Sequence, residues 1–435
     1  MKSRTRPPWK PWGRPVVYLL LALVLIDYFL IEPARVDPSR LPPPPPPLEQ
    51  LASRLKHHVG FLASRQLAGR KPGTTGNRRA EEYILGEFQN YGLVPVGPRS
   101  LRTQRIHPEI GRNVFSAFPP VESPRPWLIL GAHLDHLGEE NGRVYFGADD
   151  NASGVAIMLE TARLARHRLH LKHYNLMFVA FNSEESPYFL TRWMGSHFFL
   201  HHLEPLGLRP GQIASAVIMD LMGGVFWKPI QDTLFAMGAE KSPEIAAALE
   251  QVSLDGLTIT PLGMHMIESV PTTGRMIFSD YQVFREHQIP FLFLSSGRTP
   301  DYHRPTDTSD RLHYSRMART TLWLLNYLER LDHYPEITWR PFRERYEQDL
   351  KSIFPLVSLA AGWWSKIPQT GWISLYRLKQ DRMRLSELRK KIERGGSLGP
   401  DEARALSLAS IRLQCLLGKM GPCFLVPGQG NKKML

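Results

Sequence analysis

Cysteine is nearly missing from this chain of 435 residues, where only Cys415 and Cys423 occur. This excludes a disulfide-built scaffold, and neither cysteine has a partner at zinc-binding spacing. The two either pair in an oxidising compartment or remain ordinary thiols. Acidic side chains are also short, 41 Asp and Glu against 54 Lys and Arg, for a net charge of +13. The excess gathers at the ends, in Lys2, Arg4, Arg6, Lys10 and Arg14 and in the tail after Pro341. No zinc-finger spacing, Walker loop or aromatic-studded RNA motif accompanies it. No nucleic-acid partner is therefore expected, and an anionic membrane surface suits the distribution better. Internal repeats are absent, and long apolar runs are absent with one exception.

That exception is residues 16–31, VVYLLLALVLIDYFLI, which as a helix is about 24 Å long. It falls slightly short of the ~20 residues usually needed to span a bilayer. Trp9 and Trp12 on one side and Tyr28 on the other extend it into the interfaces, and Asp27 lies near the outer end. Basic residues precede it and no small-x-small cleavage pattern follows. An uncleaved transmembrane signal anchor is expected, with residues 1–15 cytoplasmic and the remainder on the periplasmic or extracytoplasmic side. A cleaved signal peptide is the alternative. Residues 32–47 form a linker whose unbroken proline run, 42–47, sets a semi-rigid polyproline II spacer.

The composition, 43% hydrophobic and 22% charged, is that of a globular protein. A catalytic domain is expected over 48–333. Leu51, Leu55, Val59 and Leu62 recur at helical spacing, and a second amphipathic helix is expected over 80–90 after the turn-rich GRKPGTTGN. Short apolar runs then appear at 127–132, 176–181, 213–219, 234–237 and 290–294, with helical patterns between them at 152–166 and 243–252. Such alternation predicts an α/β fold: a central, mostly parallel mixed sheet covered by helices on both faces. Residues 334–435 read as a basic helical extension. Leu375, Leu378, Leu385, Leu388 and Ile392 share one helix face there, and a second helix follows over 401–417. Its apolar face either packs on the core or meets a membrane surface.

Functional groups in an open parallel sheet collect at the carboxyl ends of the strands. His133 and Asp135 follow the first apolar run, Glu184 and Glu185 the second, and Asp220 ends the third. His303 comes a short loop after the last, while Asp149 and Asp150 precede a helix whose positive end favours carboxylates. Mixed imidazole and carboxylate ligands suit zinc or cobalt better than magnesium or calcium. The supply is enough for two ions about 3.5–4 Å apart. Of two adjacent glutamates, one can bind metal while the other moves a proton.

The segments AHLDHLG, GADDNASG, FVAFNSEE, MGSHFF, MDLMGG, SDYQVF and DYHRPTDTSDRL, in that order, resemble the zinc exopeptidase family of bacterial leucyl aminopeptidases, aminopeptidase Y and glutamate carboxypeptidase. The likeness reaches back to LASRQLAGRKPGTTGN, so it covers about 48–331 and neither the anchor nor the tail. It implies the zinc exopeptidase fold, a peptide substrate and two Zn2+ per chain, with Co2+ as a substitute. It places His133 and Asp220 on one ion, Glu185 and His303 on the other, and Asp150 across both. Glu184 becomes the general base, Asp135 the acid that orients His133, and Tyr302 a donor to the oxyanion. His136 is left in support, Asp149 as a cap at a helix start, and Asp280 and Asp307 as loop ties. His57, His58, His167, His170, His173, His201 and His202 read as solvated or helix-end residues. One departure is local: SPYFLTRWM (186–194) replaces the short x-Gly-Leu-Leu that usually follows the glutamate pair. The expected activity is release of amino-terminal residues. A carboxypeptidase of the same family, a glutaminyl-cyclase-like acyltransferase and a non-enzymatic receptor are the alternatives.

Overall fold

The computed structural model describes residues 46–225, 227–264, 269–270, 274–275, 279–340, 346–362 and 372–418. The expected anchor at 16–31 and the side chains of Cys415 and Cys423 lie outside them. Among the described residues no helix is long and apolar enough to cross a membrane. The described residues form one compact unit.

Two helices come first, α1 (Leu48–Leu62) and α2 (Thr75–Asn90). The second starts earlier than periodicity alone suggests, because Thr74 Oγ1 accepts the Asn77 N–H at 3.2 Å and caps it within the turn-rich stretch. Strands β1 (Thr103–His107), β2 (Gly111–Ala117) and β3 (Trp127–His133) lead into α3 (Gly154–Arg168). Next come β4 (Asn175–Phe181), α4 (Gly195–His201), β5 (Ile213–Met219), β6 (Thr233–Met237), α5 (Pro243–Gln251) and β7 (Thr258–Leu262). The unit closes with α6 (Tyr281–Glu286), β8 (Phe291–Ser295) and four longer helices. These are α7 (Tyr314–Leu331), α8 (Tyr346–Gly362), α9 (Trp372–Glu393) and α10 (Pro400–Gly418).

The eight strands make one sheet in the order β1-β2-β4-β3-β5-β8-β6-β7. Its centre, β4-β3-β5-β8, is parallel, while β2 and β6 run against their inner neighbours. The sheet is thus mixed and mostly parallel, as the apolar runs predict. The outer strands β1, β2 and β7 were not evident in the sequence, because TQRIH, GRNVFSA and TITPL lack the continuous apolar texture of strands buried on both faces.

Alternate residues of the central strands feed two cores. Leu128, Leu130 and Ala132 of β3 join Leu176, Phe178 and Val217 under α1, α2, α3, α5 and α7. Trp127 and Ile129 join Val179, Ile218 and Phe291 on the other face. That second face is covered partly by the carboxyl-terminal helices, through Ile353 and Val357 of α8, Leu378 and Leu385 of α9, and Leu406 and Ala409 of α10. The described apolar face of α9 therefore packs inward. Asp381 of α9 and Arg412 of α10 add a buried ion pair at 2.6 Å.

Removing one member of that pair leaves the other charged and buried, which costs about 3–5 kcal/mol. Asp381→Ala should lower the urea-unfolding free energy by about that amount, and the double replacement Asp381→Leu with Arg412→Met should recover most of it. An Asp381→Ala variant as stable as the parent would show that the pair does not hold the extension.

Candidate metal centre

The parallel strands end together, and their carboxyl ends carry the chemistry. His133 is the last residue of β3, Glu184 and Glu185 follow β4, Asp220 follows β5, and His303 lies beyond β8. Ser183, Leu221 and His303 adopt left-handed backbone angles, with φ of 54°, 56° and 55°. Each costs a non-glycine residue about 1–2 kcal/mol. The chain thus bends sharply beside Glu184 and Asp220 and at His303 itself. Asp150 enters from the turn before α3. Gly147 opens that turn with φ 61°, and a Cβ there would meet Asp150 O at 2.3 Å and the His136 ring at 2.5 Å.

The sequence-derived residues come together. His133 Nε2 lies 3.3 Å from Asp150 Oδ1, 3.4 Å from Asp220 Oδ1 and 3.9 Å from Glu184 Oε2. His303 Nε2 lies 3.2 Å from both Asp150 Oδ2 and Glu185 Oε1. His133 Nε2, Asp150 Oδ2, Asp220 Oδ1 and His303 Nε2 are buried yet have no aligned hydrogen-bond partner among the described residues. Separations near 3.3 Å match the edge of a tetrahedron with bonds of about 2.0 Å, the geometry of zinc. His133, Asp150 and Asp220 form one group able to hold a metal ion, and His136, Asp150 and Glu185 form another.

Neighbouring residues complete the site, some in the roles expected and some in others. His136, left in support, puts Nδ1 at 3.0 Å from Glu185 Oε1 and 3.8 Å from Asp150 Oδ2. Asp135 stands 3.8 Å from His133 Nδ1, too long for a hydrogen bond. Its oxygens instead accept the backbone N–H groups of Glu184 and Glu185 at 3.0 and 3.1 Å. Asp149 does not cap a helix. Its carboxylate accepts the N–H groups of Gly223 and Gly224 at 2.7 and 2.8 Å, fixing the loop after Asp220. Asp307 accepts the N–H groups of Asp149 and Asp150 at 2.8 and 3.1 Å, a loop tie as expected. Asp280 is fully buried at the start of α6, where burial raises its carboxyl to about 7.

Buried Arg70 had no sequence signal beyond its place in the AGRKPG segment. It donates to the carbonyls of Leu62, Leu134, Phe146 and Gly147 and so joins the loops that carry His136 and Asp150. His58 is likewise not solvated; it is buried against Glu160 and Tyr83. Tyr302 stacks on His303 with ring centroids 3.8 Å apart. In the 186–194 loop, turns run from Tyr188 N–H to Glu185 O and from Thr191 N–H to Tyr188 O. Trp193 stacks on Phe198.

Charge follows from this crowding. Burial alone would raise Asp150, but the imidazoles of His133 and His303 outweigh it and hold it well below the usual carboxylate range. Burial pushes Glu184 well up, reinforced by Glu185 and Asp220. It would lower both imidazoles, yet the surrounding carboxylates lift His133 well above its ordinary value and His303 to about 10.

A centre of imidazoles and carboxylates on the carboxyl edge of a parallel sheet is that of an α/β protein built to hold divalent metal. Peptidase family M28 matches residues 113–328. The uncharacterised protein YfbL of Escherichia coli (strain K12) is 31% identical over 225 residues, 48% of this chain and 67% of that one. The fold is similar to that of LapA aminopeptidase from Legionella pneumophila, with TM-score 0.51 at 16% identity, over 66% of this chain and 74% of that one. LapB from the same organism matches with TM-score 0.50 at 17% identity over the same shares. The chain belongs to peptidase family M28 and is a zinc metallopeptidase.

Zinc needs neutral imidazoles, whereas the metal-free protein holds His133 and His303 protonated at neutral pH. Zinc uptake at pH 7 should therefore release about one proton or more per ion, and apparent affinity should rise with pH until His303 deprotonates unaided near 10. Calorimetry in buffers of different ionisation enthalpy reads this directly. Uptake without proton release would contradict the charge assignment.

Proposed function

We propose that the chain is a di-zinc exopeptidase that releases amino-terminal residues from peptides. The supporting observation is Asp150, whose two oxygens face different imidazoles, His133 at 3.3 Å and His303 at 3.2 Å. A carboxylate so placed suits a bridge between two ions. In this reading His133 and Asp220 would hold one zinc, Glu185 and His303 would hold the other, and Asp150 would serve both. When bound, the zinc pair acidifies water and polarises the scissile carbonyl.

The chain's own residues supply the proton path. Glu184 lies within 3.9 Å of His133 and is 5% exposed. It takes a proton from the attacking water and hands it to the leaving nitrogen as the C–N bond breaks. Asp135 holds the backbone of both glutamates and so fixes where Glu184 points. His136 steadies Glu185 through their 3.0 Å contact. Tyr302 donates to the carbonyl oxygen as negative charge builds there.

Glu184→Ala should keep its zinc and lose most hydrolysis, on the order of 10²–10⁴-fold, whereas His303→Ala should lose metal. Elemental analysis beside a panel of free and blocked peptides, with products identified by mass spectrometry, reads both effects. Products trimmed from the carboxyl end would make the chain a carboxypeptidase, and pyroglutamate with one zinc per chain would make it a cyclase.

The apolar stretch 16–31 behind Lys2, Arg4, Arg6, Lys10 and Arg14 supports a membrane anchor with the catalytic unit on the extracytoplasmic side. Added protease should then digest the catalytic unit only once the outer barrier is opened, with the inner membrane intact. Protection until the inner membrane is lysed would reverse the orientation.

A further inference from the structure

We propose that Arg298 forms an anion subsite at the rim of the metal centre, reading the free terminal carboxylate of a short peptide on the leaving side of the scissile bond. The inference rests on the peptidase reading above and adds a substrate class to it.

The observation is a cation set against two stacked rings. The guanidinium of Arg298 lies 3.9 Å from the centroid of the Tyr302 ring. That ring lies 3.8 Å from the imidazole of His303 at an interplanar angle of 14°. Two groups this close to one ring occupy opposite faces, so Arg298 is the outer layer and His303 the inner one. His303 in turn touches Asp150 and Glu185 at 3.2 Å. The cation is therefore held one aromatic ring away from the proposed reaction centre.

Its commitments differ from those of nearby arginines. Arg70 is spent on backbone carbonyls, and so is Arg316, which donates to Gln231, Met222 and Gly224. Arg311 stands 3.5 Å from Asp301. Asp301, the acid nearest Arg298 in sequence, also accepts the Thr306 hydroxyl at 2.6 Å. Among the described residues no carboxylate lies in ion-pair range of Arg298, which is half-buried. Contact with the Tyr302 ring holds the guanidinium in place, and its parallel N–H donors match the two oxygens of a carboxylate. A peptide with its scissile carbonyl at the metals and a free carboxylate one residue further on presents that group to the rim.

The test compares Leu-Ala, Leu-Ala amide and Leu-Asp amide on the zinc-loaded full chain. The parent should show a KM for Leu-Ala about tenfold or more below that for Leu-Ala amide, with similar kcat, a difference of ~1.4 kcal/mol. Arg298→Ala should raise KM for the free acid to that of the amide and leave the amide unchanged. Arg298→Lys should restore only part of the preference, because an ammonium lacks the fork. A preference for Leu-Asp amide equal to that for Leu-Ala would move the recognised carboxylate to a side chain and overturn the terminal assignment. Equal losses on acid and amide would reduce Arg298 to a prop for Tyr302, and a parent indifferent to the carboxylate would also overturn the subsite. If none of the peptides is cleaved, the peptidase reading fails and the subsite is judged by calorimetry. Leu-Ala should then bind the parent more tightly than its amide and bind Arg298→Ala no better, with equal binding overturning the inference.

Discussion

Everything in this molecule has to accommodate a concentration of negative charge taken out of water. Asp135, Asp149, Asp150, Glu184, Glu185, Asp220 and Asp280 are all buried. Carboxylates removed from solvent without partners would simply take up protons. Here they are set against His133, His136 and His303 and against backbone N–H groups from converging loops. The sheet makes this arrangement affordable: parallel strands deliver their ends to one edge, and both faces are sealed by apolar layers that supply the stability the edge gives up.

The loops are held by a division of labour among charged groups. Asp135, Asp149 and Asp307 spend their oxygens on backbone N–H groups, each bridging segments far apart in sequence. Arg70 and Arg316 do the converse and collect backbone carbonyls. Each loop is consequently fixed by groups on other loops. The left-handed turns at Ser183, Leu221 and His303 persist because this web over-determines them.

The central strands were legible because a strand buried on both faces must be apolar along its length, and the groups following each run marked the active edge. The principal site residues were legible for the same reason, helped by ordered motifs. Outer strands such as GRNVFSA were not, since the buried polar residues Asn113 and Ser116 interrupt the apolar run. Arg70 and His58 were invisible for a different reason: a buried polar side chain is explained only by partners that the fold brings from elsewhere. Asp149 and Asp135 were assigned to plausible local tasks, whereas their real partners are glycines 74 and glutamates 49 residues along the chain.

The carboxyl-terminal helices have a consequence in time as well as in space. Synthesis begins at the amino end, so the face of the sheet that receives Leu378, Leu385 and Leu406 stays open until the last of these emerges from the ribosome. All eight strands precede that moment. The nascent chain therefore passes through an interval in which the sheet can pair but one of its faces, already met by Phe199 and Phe284, is still partly wet. A hydrolase whose second layer is finished by its latest helices can seal its sheet only after every strand has been made.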